Sequence, residues 1–273
     1  FRARVREVIA RHIAPHADSW ESAGIFPAHE LFPHLGAAGI LGLEYDPAFG
    51  GQGADHSYTV VYGEEFGRCP TAGVAMAVSV QTDMATPSLA RFGSDELKER
   101  YLRPALAGEQ VAAIAVTEPD AGSDVAGLRT RARRDGDEWV IDGTKLYITN
   151  GTQADWLCLL ARTSDEGGHR GMSQIIVDTA TAGVEVSRTL HKLGQRSSDT
   201  AELSFNEVRV PLENTIGTVD RGFAQQMQQF QNERLIAAYM ATGNMVWALE
   251  RTADYLQERR AFGRQLLENQ HLA

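Results

Sequence analysis

The segment A-V-T-E-P-D-A-G-S-D-V-A-G-L, from Ala115 to Leu128, has residue types suited to binding an electron-rich ring. Gly122 permits a tight turn, and Ser123 and Asp124 can cap backbone amides there. Such a turn gathers N–H groups and hydroxyls at one point, where they can stabilise negative charge developing on the edge of a heteroaromatic ring. A capped turn that binds nothing is the alternative that these residues leave open.

A second candidate is the run L-Y-I-T inside G-T-K-L-Y-I-T-N-G. Alternation along a strand predicts Leu146 and Ile148 in the core, with Tyr147 and Thr149 together on the other face. One aromatic ring and one hydroxyl on the same face can stack against a flat heteroaromatic ligand and hydrogen-bond it. An ordinary half-exposed strand is the alternative.

A candidate general base, Glu233, lies in Q-N-E-R-L within a long helical pattern. Its neighbours on the same helix face are predicted to form an apolar stripe: Phe230, Ala237, Met240 and Ala241. A carboxylate on such a stripe is costly unless it has a partner or a function, and burial raises its pKa toward neutrality. Arg234 is a candidate for setting the local charge and for contacting substrate. A surface glutamate paired with that arginine is the alternative.

The run R-R-A-F-G-R-Q-L-L-E-N-Q offers groups for a nucleotide. Arg259 has a guanidinium fork that suits a pyrophosphate, Phe262 has a face for adenine, and Gln270 has an amide for further contacts. An arginine-rich, solvated helix end is the alternative.

The composition is that of a folded protein with room for two or three domains. The 273 residues are 43% hydrophobic and include 9 prolines. The formal charge of −10 argues against a nucleic-acid surface, which needs clustered lysine and arginine. Only three lysines occur, so an anionic ligand would have to meet a local group of arginines.

Neither a metal site nor a membrane span is predicted. Cys69 and Cys158 lack the spacing of a metal ligand pair, and reduced thiols are expected. The eight histidines, the last being His271, show no metal-binding pattern. No apolar run reaches the roughly 18 residues that cross a bilayer. The opening F-R-A-R-V-R-E-V lacks a signal-peptide core and resembles a helix already under way, so we expect the N-terminus to be missing.

The chain divides into three segments. Residues 1–110 show helical periodicity, interrupted by a glycine-rich run over 36–53 that favours a turn between helices over a dinucleotide-binding loop. Residues 111–218 hold short strand-like runs, and residues 219–273 return to the helical period. The helical pattern from Phe223 to Arg260 has no proline and would be about 57 Å long.

The middle segment predicts an antiparallel β-barrel or sandwich. Eight short runs alternate or are continuously apolar, and turn residues separate them. The pair Asp142-Gly143 is a hairpin signal and predicts a turn between two of these strands. The fold class is therefore multidomain α+β, with a helical domain at each end.

Three of these runs are A-V-T-E-P-D-A-G-S-D-V-A-G-L, G-T-K-L-Y-I-T-N-G and R-R-A-F-G. In this order and at these separations, they resemble the motifs of the acyl-CoA dehydrogenase family of flavoproteins, and the resemblance covers the whole chain. It implies an N-terminal helical domain, a middle β domain and a C-terminal helical bundle that is truncated here. It also implies FAD as the cofactor, with Val116, Thr117, Gly122 and Ser123 lining the flavin and acyl-CoA site.

The resemblance assigns the other candidates as well. Tyr147 stands where the family often has tryptophan near the isoalloxazine, and Thr149 would bond the ring. Arg259, Phe262 and Gln270 match residues that reach across a subunit interface to the ADP portion of FAD. Half the cofactor site would then come from a neighbouring chain, which implies a homodimer or homotetramer.

The family carries its catalytic glutamate at one of two places. Most members have it in the last helical domain, beyond the end of this chain, whereas isovaleryl-type and long-chain-type members have it at the position of Glu233. The glutamate here favours the second group and, by analogy, branched or bulky acyl chains. The run around Glu233 also resembles bacterial terpenoid-type acyl-CoA dehydrogenases.

The implied reaction is α,β-dehydrogenation of an acyl-CoA thioester, with electrons passed to an electron-transfer flavoprotein. A bacterial cytoplasm or a mitochondrial matrix is the implied compartment. Two rivals stay open: a flavin monooxygenase or nitroalkane-oxidase-like enzyme on the same fold, and a non-catalytic flavin- or acyl-CoA-binding scaffold.

Overall fold

The N-terminal segment is helical, as predicted. A computed structural model describes residues 1–270. The helices before the sheet are α1 (Arg2–His12), α2 (Ala17–Ala23), α3 (Ala28–Ala37), α4 (His56–Gly67), α5 (Ala72–Ser79), α6 (Pro87–Phe92), α7 (Asp95–Leu97) and α8 (Arg103–Ala107). A π-helical segment, Val80–Ala85, continues α5 toward α6. Side chains from α1, α3, α4 and α5 share one apolar core that includes Phe32 and Phe66. The glycine-rich run begins in the last turn of α3 and, from residue 38 on, forms the connection to α4, as expected.

The middle segment is a β-sheet. Its strands are β1 (Ala112–Ala115), β2 (Arg131–Asp135), β3 (Glu138–Thr149), β4 (Trp156–Arg162), β5 (Met172–Asp178), β6 (Val184–Thr189), β7 (Thr200–Pro211) and β8 (Thr215–Ile216). They are ordered β6-β7-β3-β2-β4-β5-β8, and β1 pairs with β4. The predicted antiparallel pairing holds for most neighbours. However, β4 runs parallel to β1 and, at a single residue pair, to β2.

The predicted hairpin turn at Asp142-Gly143 is wrong, because both residues lie inside β3. Ile141 pairs with Val208 and Gly143 pairs with Phe205 on β7, so the ladder continues on both sides with a register shift. A bulge of this kind accommodates the extra residue without reversing the chain. The turn itself lies one strand earlier, between β2 and β3, where Gly136 has a φ of 63°.

A single long helix, α9 (Gly222–Glu258), follows the sheet and confirms the predicted helical rod. The helix ends two residues before the predicted Arg260. The chain then forms a small hairpin of β9 (Arg260–Ala261) and β10 (Arg264–Gln265). Within residues 1–270, no helix combines the length and the apolar character that crossing a membrane requires.

Candidate active site

The close crossing of α9 over α4 fixes the position of the candidate base. A methyl group at Gly243 would overlap the carbonyl oxygen of Glu64, and one at Gly67 would overlap that of Met240. Glycine at both positions therefore lets the two backbones approach each other directly. This contact holds the middle of α9 against the N-terminal helices.

Glu233 is half-buried on the face of α9 that meets the π-helical segment. Burial raises the pKa of Glu233 to about 7; a hydrogen bond from Gln229 opposes the shift, nearby Asp83 adds to it, and Arg234 opposes it. A carboxyl group with this pKa is partly ionised near neutral pH. It can therefore accept a proton and later release it.

Gln229 fastens the Glu233 carboxylate to the N-terminal domain. Its side-chain nitrogen donates to Glu233 Oε1 at 2.9 Å and also to the carbonyl oxygen of Met84. Its side-chain oxygen accepts from the Ser88 backbone N–H at 3.1 Å and from the Ser88 hydroxyl at 2.5 Å. All four contacts of one buried amide are thus satisfied, which fixes the orientation of the base.

The predicted apolar stripe around Glu233 is wrong in part. Ala237 and Ala241 are exposed, whereas Phe230 and Met240 are half-buried. The buried face of α9 is instead built largely from glycine and glutamine: Gly222, Gln225, Gln226, Gln229, Ile236 and Gly243. Of these residues, Gln229 hydrogen-bonds the base.

Arg234 is exposed. Its Nη1 donates to the carbonyl oxygen of Phe230 at 3.2 Å, and its guanidinium carbon lies 5.5 Å from the centroid of the Phe230 ring. It lowers the pKa of Glu233, as a nearby cation should, but it forms no direct ion pair with that carboxylate in residues 1–270.

A buried ion pair that the sequence analysis missed holds the turn after β1. Lys145 Nζ donates to Glu118 Oε1 at 2.9 Å and to the Val116 carbonyl oxygen at 2.8 Å. Glu118 also accepts from the backbone N–H groups of Arg129 at 2.6 Å and Thr130 at 2.9 Å. The pair joins the turn segment to β3, so two of the three sequence motifs form one unit.

Both members of this pair are charged at neutral pH. Burial lowers the pKa of Lys145 to about 8, and Glu118 opposes part of that shift. Burial alone would raise the pKa of Glu118, but Lys145 and the hydrogen bonds from Thr130 and Arg129 outweigh it and lower that pKa.

The turn itself differs from the prediction in how it is stabilised. Ser123 and Asp124 are exposed, and their side chains cap no backbone amide in the described part of the chain. The Glu118 carboxylate accepts the backbone N–H hydrogen bonds that stabilise this segment instead. Val116 is buried, and Thr117 is half-buried, with its carbonyl oxygen accepting from the Leu146 N–H at 2.8 Å. The backbone N–H groups of Gly122 and Ser123 have no acceptor among residues 1–270.

The regular alternation predicted for L-Y-I-T is interrupted. The β3–β7 register shifts between Lys145 and Ile148, and Tyr147 has a φ of 63°. Tyr147 is 66% exposed, so its ring is available at the surface next to the turn segment. Thr149 is half-buried and pairs with Thr200 on β7.

Arg259, Phe262 and Gln270 do not approach Glu233 within one chain. Arg259 follows Glu233 by 26 residues, about 39 Å along a helix. All three side chains are exposed, and Phe262 is at the tip of the terminal hairpin with a φ of 55°. This separation fits a role at a neighbouring chain's site, which stays a prediction.

A cavity of about 270 Å³ lies near the base, although Glu233 itself does not line it. Asn232, next to Glu233, contributes to its wall, together with the loop after α3, helix α4, the π-helical segment and the start of α6. The cavity can therefore receive a ligand group that extends away from Glu233 into the N-terminal domain.

The described residues hold no group of three or more histidine, cysteine or acidic side chains that could bind a metal ion. Cys69 and Cys158 are free and buried, and burial raises the pKa of each thiol to about 12. His271 lies outside the described residues.

These features define a multidomain α+β fold with a candidate general base beside a cavity. Family models described as the N-terminal, middle and C-terminal domains of acyl-CoA dehydrogenase match residues 1–109, 113–208 and 220–273. The chain belongs to the acyl-CoA dehydrogenase family.

Individual relatives agree with this assignment. The mitochondrial long-chain specific acyl-CoA dehydrogenase of Sus scrofa is 36% identical over 97% of this chain; the match spans 61% of that relative's length. A probable acyl-CoA dehydrogenase from Mycobacterium abscessus has a TM-score of 0.95 at 41% identity, covering 99% of this chain and 72% of that one. A glutaryl-CoA dehydrogenase from Mycobacterium smegmatis in complex with FADH2 has a TM-score of 0.91 at 32% identity, covering 99% and 68%.

Proposed function

We propose that this protein is an FAD-dependent acyl-CoA dehydrogenase that converts an acyl-CoA thioester to the trans-2-enoyl-CoA. The observation that carries the proposal is Glu233, a half-buried carboxylate with a pKa near 7, oriented by Gln229 beside a cavity. Membership of the family and the likeness to a glutaryl-CoA dehydrogenase complexed with FADH2 support it.

The residues near the turn fit a flavin. The exposed ring of Tyr147 provides a flat surface, and the free N–H groups of Gly122 and Ser123 provide donors for an electron-rich edge. The Thr117–Leu146 hydrogen bond places these two parts side by side. In the proposed holoenzyme, one chain supplies Val116, Thr117, Gly122, Ser123, Tyr147 and Thr149.

The proposed acid–base step belongs to Glu233. Its ionised carboxylate takes the proton from Cα of the thioester while the hydrogen on Cβ leaves as hydride, so two C–H bonds break and one C=C bond forms. FAD, when bound, supplies the acceptor for that hydride. Gln229 keeps the carboxylate in one orientation, and Ser123 and Arg234 are the proposed substrate contacts.

The proposed assembly is a homodimer or homotetramer in which Arg259, Phe262 and Gln270 of one chain contact the ADP portion of FAD bound by another. An electron-transfer flavoprotein is the proposed acceptor of the electrons. The exposure of all three side chains in the single chain supports this arrangement.

An anaerobic titration of the FAD-loaded protein tests the proposal. Acyl-CoA esters from four to sixteen carbons should bleach the flavin absorbance, while the matched free acids should not. Bleaching by nitroalkanes and not by thioesters would favour the nitroalkane-oxidase-like rival, and an oxygenated product in air would favour a monooxygenase. If none of these compounds reduces the flavin, the non-catalytic flavin- or acyl-CoA-binding scaffold would be favoured.

A further inference from the structure

The cavity near Glu233 is lined by both apolar and polar residues. The apolar ones are Ile40, Leu41, Leu43, Pro87 and Ala90. The polar ones include Asp83 on the π-helical segment. A mixed lining of this kind suits a hydrocarbon chain that carries a polar group.

Asp83 has an unused hydrogen-bond acceptor. Its Oδ2 accepts from the Ser79 hydroxyl at 3.1 Å and from the Thr82 hydroxyl at 2.7 Å. Its Oδ1 has no donor among residues 1–270, and no cation pairs with the carboxylate there. Desolvation by the surrounding protein raises the pKa of Asp83 to about 6, and the hydrogen bonds from the Thr82 and Ser79 hydroxyls oppose that shift. Asp83 is half-buried and contributes to the cavity lining, so a ligand donor that reaches Oδ1 can form a hydrogen bond with the carboxylate there.

Two other polar residues of the lining, Tyr45 and Glu44, already have partners. The Tyr45 hydroxyl donates to the Thr82 carbonyl oxygen and lies 2.8 Å from the Thr86 hydroxyl. Glu44 Oε1 accepts from the Thr59 hydroxyl at 2.5 Å and lies 2.7 Å from His56 Nδ1.

Arg91 also contributes to the lining, but its side chain is exposed and its guanidinium carbon lies 6.0 Å from the Phe92 ring centroid. The lining side chains that could donate to a ligand, Arg91 and Asn232, are both exposed, whereas Asp83 offers an acceptor.

We propose that the cavity takes an acyl chain bearing a hydroxyl group beyond Cβ, and that this hydroxyl donates a hydrogen bond to Asp83 Oδ1. The proposal rests on the proposed function, because it treats the cavity as the site of the acyl tail. A neutral hydroxyl is proposed over an ammonium group, because a full charge loses more hydration free energy on entering a partly apolar cavity.

Matched substrate pairs test this inference. The FAD-loaded protein is assayed for flavin-dependent reduction of ferrocenium with hexanoyl-, octanoyl- and decanoyl-CoA and their terminally hydroxylated counterparts. The readout is the ratio of the two kcat/KM values within each pair. Any change in the reactivity of Glu233 alters both values equally and therefore cancels in that ratio. We expect the hydroxylated member to be preferred by roughly 10- to 100-fold at the chain length that reaches Asp83.

Variants assign that preference to one residue. Asp83→Leu should reverse the ratio in favour of the unsubstituted chain, and Asp83→Asn, which keeps an acceptor oxygen, should retain part of the preference. Asp46→Asn is the matched control, since Asp46 also contributes to the lining but is exposed, and it should leave the ratio unchanged.

Three outcomes overturn the inference while leaving the dehydrogenase proposal intact. They are an equal or inverse ratio in the unmodified protein at every length, a hydroxyl preference that survives Asp83→Leu, and a stronger preference for terminally aminated chains. If no thioester of either kind reduces the flavin, the proposed function itself fails.

Discussion

Replacing Lys145 with methionine should strongly destabilise the middle domain. The change removes the cation from a pair in which Lys145 is 0% and Glu118 is 7% exposed, and it leaves the carboxylate with two backbone donors. Breaking a buried pair by removing one partner typically costs about 3–5 kcal/mol. The double change Glu118→Gln/Lys145→Met leaves no buried charge, so it should recover most of the loss.

Urea denaturation followed by circular dichroism measures the free energy of unfolding of the single and the double variant. The pH dependence of that free energy provides a second test. In the unmodified protein the pKa of Glu118 is lowered, so its contribution to stability is present above the unfolded pKa of about 4.3 and is lost as pH falls through the folded value. Without Lys145, burial should instead raise that pKa, and the destabilisation should be smaller at pH 5 than at pH 8.

A Lys145→Met protein whose free energy of unfolding lies within about 1 kcal/mol of the unmodified one would show that the ion pair does not hold this domain together. So would a double variant no more stable than the single one.

Three further changes probe the elements that position the site. Gln229→Leu removes a hydrogen bond that stabilises ionised Glu233, so the acid limb of the pH–rate profile should move up by about one unit; an unmoved limb would contradict the assigned role. Gly243→Ala should destabilise the α4–α9 contact by about 1–3 kcal/mol in thermal unfolding, whereas Gly194→Ala, with no neighbour in reach, should not. Arg259→Ala should lose FAD and loosen the oligomer on size-exclusion chromatography; an intact, fully loaded assembly would exclude the shared site.

The sequence predicted the order of the segments and the long helix well, because each rests on local periodicity. The hairpin prediction at Asp142-Gly143 failed because tertiary pairing overrode a local turn signal: β7 offers partners on both sides of the bulge. A dipeptide preference cannot report whether a third strand lies alongside.

The site was predicted less completely, since its contacts join residues far apart in sequence. Glu118 and Lys145 are separated by 27 residues, and a lysine in an alternating run reads as solvated until its partner is known. One signal was present: Lys145 is one of only three lysines and stands inside a motif run. Likewise, Gln229 precedes Glu233 by one helical turn, but its link to Ser88 depends on how the domains pack.

The proposed reaction depends most on Glu233 as the proton acceptor, and the rate of anaerobic flavin reduction measured by stopped flow tests this role directly. With Glu233→Gln, binding of FAD and of an acyl-CoA should persist, while reduction should slow by at least about 100-fold. The unmodified protein should reduce its flavin faster as pH rises through about 7, because only the ionised base acts. A Glu233→Gln protein that reduces flavin at the unmodified rate would show that another group is the base.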